Sequence, residues 1–172
     1  MPHPAEWIIE PLRDGHKRGD FSCANASLDR YLKEQAGQDL RRNCAMPFVL
    51  LSDRPDTRIL GYYTLSSYGI DVGDLPVEVV KKLPRYPLIP ATLLGRLAVD
   101  RSFQAQGIGE FLLMDALRLA LIQSAEIAAA AVVVDAIDAG AIKFYRHFGF
   151  VAFPAIADRL FLPMKAVASL FR

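Results

Sequence analysis

The chain is short of the residues that build metal centres and covalent frameworks. Its 172 residues include only two cysteines, Cys23 and Cys44, and three histidines. Two cysteines alone cannot make a zinc site, and His3, His16 and His147 fall at no ligand spacing. The cysteines read as reduced, partly buried thiols, and no metal is expected. A long uncharged apolar run is also missing: the greasiest stretch, residues 111–134, is broken by Asp115, Arg118 and Glu126. The opening MPHPAEWIIE lacks the basic-then-apolar pattern of a signal peptide. Neither charge is in excess, since the formal net charge is +1. Any anionic partner must therefore be met by a local basic patch. These absences point to a cytoplasmic protein with no membrane association.

Hydrophobic residues make up 52% of the chain, which argues against disorder. The length suits a single domain over residues 1–172. SLDRYLKEQAGQDLRR, residues 27–42, reads as a helix, with Gly37 as a break between two helical pieces. Strands are expected at 47–53 and 58–70, joined by a turn at RPDT into an antiparallel hairpin. A short helix at 75–84 and an irregular RYPLIP precede a strand at 91–100. A buried helix at 109–125, a fully buried strand at 127–135, a helix at 139–150 and a last strand at 160–167 complete the order. The strand–helix–strand unit from Ala91 to Asp135 implies a right-handed crossover and parallel pairing. The fold class is therefore α/β, with a mixed central β-sheet flanked by helices.

Between that strand and helix stands QAQGIG, with Gly107 and Gly109 two residues apart. A helix start leaves backbone N–H groups without partners and carries the positive end of the helix dipole. Glycines let those groups approach a ligand, so the stretch suits a pyrophosphate. Two glycines equally suit a tight turn that binds nothing. No Lys-Ser or Lys-Thr follows, so this is not the ATP-binding P-loop. The third glycine of the dinucleotide fingerprint is also lacking, with Leu112 in its place.

Gln104-x-x-Gly107-x-Gly109 resembles the acetyl-CoA pyrophosphate loop of the GNAT acetyltransferases. RLAVD and AIKFYRHFGF resemble two further motifs of that family, in the right order. The resemblance implies a GNAT fold and acetyl-CoA as cosubstrate. It places the pyrophosphate on Gln104, Gln106, Gly107, Ile108 and Gly109, and the pantetheine arm along Leu97, Ala98 and Val99. Asp138 stands where many relatives carry an asparagine near the cofactor; a plain helix cap explains it equally. Tyr145 matches the family's general-acid tyrosine, against the simpler reading of a ring packed beside Phe144 and Phe148.

The N-terminal half narrows the resemblance. DFSCANASLDRYLKEQAGQDLRR and LPRYPLIPATLLGRLAVD resemble segments of one GNAT subgroup, the toxins of bacterial toxin–antitoxin pairs, with Ala24 where relatives often carry glycine. That resemblance implies acetylation of the α-amine of aminoacyl-tRNA, arrest of translation and a ribbon-helix-helix antitoxin as partner; it leaves the oligomeric state open, homodimers being common among relatives. Lys33, Arg41, Arg42, Arg85 and Arg96 are the candidate contacts to tRNA or antitoxin, although such charges also serve as ordinary solvated surface. No acid that sequence can place serves as a base. An α-amine, with a pKa of ~7.7–8.0, needs one less than an ε-amine at ~10.4. The alternatives are a GNAT enzyme acting on a small-molecule or protein amine, and a CoA-binding protein without catalysis.

Overall fold

The computed structural model describes residues 7–52 and 58–172. His3 and the expected turn at RPDT lie outside them. Seven strands occur: β1 (Ile8–Pro11), β2 (Met46–Leu51), β3 (Ile59–Asp71), β4 (Leu88–Val99), β5 (Ala131–Asp135), β6 (Val151–Phe153) and β7 (Ile156–Pro163). The helices are α1 (Ala26–Arg30), α2 (Ala36–Arg41), α3 (Val77–Val80), α4 (Ile108–Gln123), α5 (Ala139–His147) and α6 (Met164–Ser169). The strands form one mixed sheet in the order β1-β2-β3-β4-β5-β7-β6. The chain divides into two compact units, residues 1–66 with 96–116 and residues 67–95 with 117–172.

In the first unit, β1 pairs antiparallel with β2, and β2 with β3. The hairpin register sets Phe48 opposite Tyr63, whose rings stack at 5.1 Å. The core holds Leu12, Phe21, Leu32, Val49, Tyr62 and Ala98. Asn25 caps α1 by accepting from the Leu28 amide at 3.0 Å. The helix does not break at Gly37. It runs on through a π-helical turn at Tyr31–Gln35, marked by the Ala36 amide bonding to the Tyr31 carbonyl. Tyr31, buried at the start of that turn, stacks on Tyr62 at 6.2 Å. β1 was absent from the expected order: four residues are too few for alternation to announce a strand.

In the second unit, β4 and β5 pair in parallel, with Leu93 opposite Val133. β7 pairs antiparallel with both β5 and β6. The core is built from Ile70, Ile89, Ala91, Val133, Phe153 and Phe161. Three expectations are corrected here. RYPLIP is partly strand, since β4 starts at Leu88. Pro90 sits in it because the carbonyl a proline keeps accepts from the Ala130 amide at 2.8 Å. Helix α3 spans only four residues, after a 3₁₀ turn at Val72–Asp74. The last strand ends at Pro163, not at Val167, and α6 follows; the region also holds a β6–β7 hairpin rather than one strand.

Candidate functional site

Gly107 has φ +81°, and the residue two before it, Ala105, has φ 63°. The turn therefore alternates into the left-handed region twice before α4 begins at Ile108. A Cβ built on Gly107 would meet nothing within 4 Å, so packing does not require a glycine there; the backbone conformation does. The space above it is open to a ligand. α4 is long enough, at 16 residues, to present a full helix start, and Phe111 is its first amide bonded back, to the Gly107 carbonyl at 3.0 Å. The amides of Ile108, Gly109 and Glu110 precede that bond and have no intrahelical acceptor. Beside them the buried Oε1 of Gln106 has no hydrogen-bond partner among the described residues. Free amides and an open glycine fit an anion such as a pyrophosphate; the Gln106 Oε1, an acceptor, does not add to that fit.

The loop is held from beneath. Asp100, only 2% exposed, accepts from the Ser22 amide at 3.2 Å and the Ser102 amide at 2.9 Å. Its own amide donates to the Leu60 carbonyl. Gln104, expected to touch cofactor, donates its side-chain amide to the Val99 carbonyl at 3.1 Å, so its head group staples the loop to the end of β4. Leu97, Ala98 and Val99 form the last residues of β4, with Ala98 buried and its neighbours half-buried. Gly61 lets β3 approach: a Cβ there would lie 2.9 Å from the Ala98 carbonyl oxygen and 2.8 Å from Leu112. The Tyr63 hydroxyl bonds Asp115 at 2.6 Å, and Trp7 meets Phe111 edge-on at 5.1 Å. The roles of Asp100 and Gly61 escaped sequence reasoning, because a buried carboxylate that turns back on Ser22 leaves no spacing signal.

The second unit positions Tyr145. Asp138 caps α5, accepting from the Ala141 amide at 2.8 Å. Tyr145 lies on the buried face of that helix, 5.3 Å from Phe144 and 5.4 Å from Phe150, ring to ring. Gly149, at φ +97°, ends the helix and lets the Phe150 amide return to the Tyr145 carbonyl at 3.2 Å. Burial, and secondarily the Asp135 carboxylate, push the Tyr145 phenol above its ordinary pKa. It is thus fully protonated near neutral pH, as an acid must be before it gives up its proton. Asp135 is itself paired with Arg159 at 2.8 Å, and Arg159 also bonds the Tyr68 hydroxyl at 2.5 Å.

The basic candidates divide between the units. Lys33 is exposed on the π turn, and Arg41 and Arg42 are exposed at the end of α2. Arg96 joins them, its guanidinium 3.6 Å above the Tyr31 ring. The Tyr31 hydroxyl donates in turn to Asp39 at 2.7 Å. Arg85 lies in the other unit, exposed between Pro84 and Pro87. Among the described residues no group of His, Cys, Asp or Glu could hold a metal, and no helix is long and apolar enough to cross a membrane.

A family model for the acetyltransferase (GNAT) domain matches residues 48–152, more than half of the chain. The chain is 35% identical over 159 residues to the tRNA-acetylating toxin of Mycobacterium tuberculosis, covering 92% of this chain and 93% of that one. It resembles the solved structure of AtaT complexed with acetyl-methionyl-tRNAfMet, with TM-score 0.88, 30% identity and coverage of 96% and 99%. It also resembles a mutant AtaT toxin bound to the C-terminus of the antitoxin AtaR and acetyl-CoA, with TM-score 0.81, 27% identity and coverage of 96% and 98%. With that family match and the 35% identical relative, the chain belongs to the GNAT acetyltransferase family.

Proposed function

We propose that the protein is a toxin that transfers the acetyl group of acetyl-CoA to the α-amine of an aminoacyl-tRNA and so blocks translation. The observation that carries the reading is the turn with Ala105 and Gly107 left-handed before α4, open above the glycine. Acetyl-CoA supplies an activated thioester. The amides of Gln106, Gly107, Ile108 and Gly109 hold its pyrophosphate, and Leu97, Ala98 and Val99 offer backbone groups to its pantetheine arm. The amine nitrogen bonds to the thioester carbonyl carbon, the carbon–sulfur bond breaks, and the electron pair leaves on sulfur. Tyr145 gives its phenolic proton to that sulfur, and the proton that the acylated nitrogen sheds leaves through water, from which the phenolate is reprotonated. An aminoacyl-tRNA presents an amine that is substantially neutral already, so the chain needs no strong base.

In this reading the whole chain is one GNAT domain working in the cytoplasm, as a homodimer, with a ribbon-helix-helix antitoxin as protein partner. Lys33, Arg41, Arg42, Arg85 and Arg96 contact tRNA phosphates or an acidic stretch of the antitoxin. Asp138 serves α5 as its cap. The test incubates acetyl-CoA with charged tRNA and reads the released amino acid by mass spectrometry. Wild type yields acetylated amino acid. Tyr145→Phe keeps the ring packing and acetyl-CoA affinity, while turnover falls by about 10²–10⁴. If wild type left every charged tRNA unmodified but acetylated a small amine or a protein, the acceptor would be that amine instead.

A further inference from the structure

The first unit holds a pocket of about 310 Å³ that plays no part in the chemistry above. Three arginines line it, Arg13, Arg18 and Arg41, with Asp14 as the one acid on its rim. Its floor is Leu12, Leu40 and Gly37. Leu12 is buried and Leu40 half-buried, both packed in the core.

Two of the arginines converge on one glycine. A Cβ built on Gly37 would lie 3.2 Å from Nη1 of Arg41 and 3.5 Å from Nη1 of Arg18. Neither guanidinium has an ion-pair partner among the described residues; Arg18 makes a 3.3 Å bond to the Leu32 carbonyl, and Arg13 is taken up by Glu10 at 3.2 Å. Two like charges brought this close repel unless an anion lies between them. Guanidinium groups favour planar, bidentate partners, carboxylate or phosphate. The apolar floor decides between these. A phosphodiester is flanked by ribose and keeps its charge toward water, and it has nothing to set against Leu12 and Leu40. A peptide carboxylate next to an aliphatic or aromatic residue satisfies both the arginines and the floor.

We infer that this pocket binds an acidic peptide segment, its carboxylate between Arg18 and Arg41 and a neighbouring apolar side chain on Leu12 and Leu40. The inference rests on the reading above in one respect: the antitoxin is the protein expected to carry such a segment. Gly37→Leu tests it, because the new side chain fills the floor and displaces only the mobile ends of two arginines, leaving every charge in place.

The probe is a fluorescein-labelled peptide of alternating glutamate and leucine, read by anisotropy against a glutamate–serine peptide of equal charge and against uncharged tRNA. The expected result is binding of the glutamate–leucine peptide, weakened more than tenfold by Gly37→Leu and by Arg41→Gln. The glutamate–serine peptide binds more weakly than the glutamate–leucine one, and the tRNA affinity of Gly37→Leu matches wild type. No peptide binding, or binding equal in wild type and Gly37→Leu, overturns the inference. So does a Gly37→Leu variant that loses tRNA instead, which would make the pocket a nucleic-acid contact. Acetylation of charged tRNA by Gly37→Leu is followed in parallel. Its persistence with peptide binding lost locates the effect in the pocket, and its absence in wild type counts against the proposed reaction alone.

Discussion

Ala24 has a backbone φ of 68°, in the region that an L side chain enters only at a cost. It stands immediately before Asn25, the residue that caps α1, so the helix start sets its conformation. Ala24→Gly relieves that strain but frees the unfolded chain, so a net stabilisation of about 1 kcal/mol or less is expected in chemical denaturation. Gly107, at φ +81°, is the opposite case. Gly107→Val forces a branched side chain into the left-handed region and into the space above the helix start. It should cost about 1–3 kcal/mol of stability. Calorimetry should show acetyl-CoA affinity reduced about tenfold or more, worth ~1.4 kcal/mol. An unchanged affinity would remove the pyrophosphate from this turn.

Helix α5 is nine residues long and carries the candidate acid, so its start matters more than its propensity. Asp138 supplies that start through one carboxylate bond to the Ala141 amide. Asp138→Ala should lower stability by about 1 kcal/mol, while Asp138→Asn, an equally good cap, should be near neutral. If Asp138 acts only as a cap, both variants bind acetyl-CoA like wild type; a loss of affinity in the asparagine variant would assign it a ligand role. The π turn at Tyr31–Gln35 shows the same logic in another helix. Apolar spacing already sets Tyr31 on the buried side with Leu28 and Leu32, while its partners Tyr62, Asp39 and Arg96 are not legible from it.

Across the molecule, burial holds four acidic side chains neutral. It pushes the phenols of Tyr31, Tyr62 and Tyr145 above their ordinary values and the Cys23 thiol up to about 11. An unfolded thiol ionises near ~8.5 and an unfolded phenol near ~10. Groups with raised folded pKa contribute stability that is complete below the unfolded value and is lost as pH rises toward the folded one. The thermal midpoint should therefore be flat near neutrality and fall progressively above about pH 9, measured by calorimetry. At the acid end the sign reverses. Glu10, bonded to His16, and Asp39, bonded to Gln35 and Tyr31, have lowered pKa values and lose their contribution as they protonate. A midpoint that stayed level through pH 11 would mean that these phenols and the thiol gain no protection from folding.

Much of this was legible in the chain itself. The apolar runs at 91–100 and 127–135, the glycines at 107 and 109, and the tyrosine in AIKFYRHFGF all express local rules, in which a residue's neighbours along the chain decide its conformation. That is why the parallel β4–β5 pair with α4 between them was expected, although β4 starts three residues earlier, at Leu88, and β5 four residues later, at Ala131. The four-residue β1, the hairpin of β6 and β7, and the end of β7 at Pro163 were not, because short strands form only when a partner edge supplies their hydrogen bonds. The same division runs through the site. Local sequence marked Gly107 and Tyr145. Only tertiary structure brought the Asp100 carboxylate to Ser22, let Gly61 admit the Ala98 carbonyl, laid Arg96 on Tyr31, and drew Arg18 and Arg41 together over Gly37. Those contacts join residues far apart in the chain, and nothing in the residues between them records that the fold will close that distance.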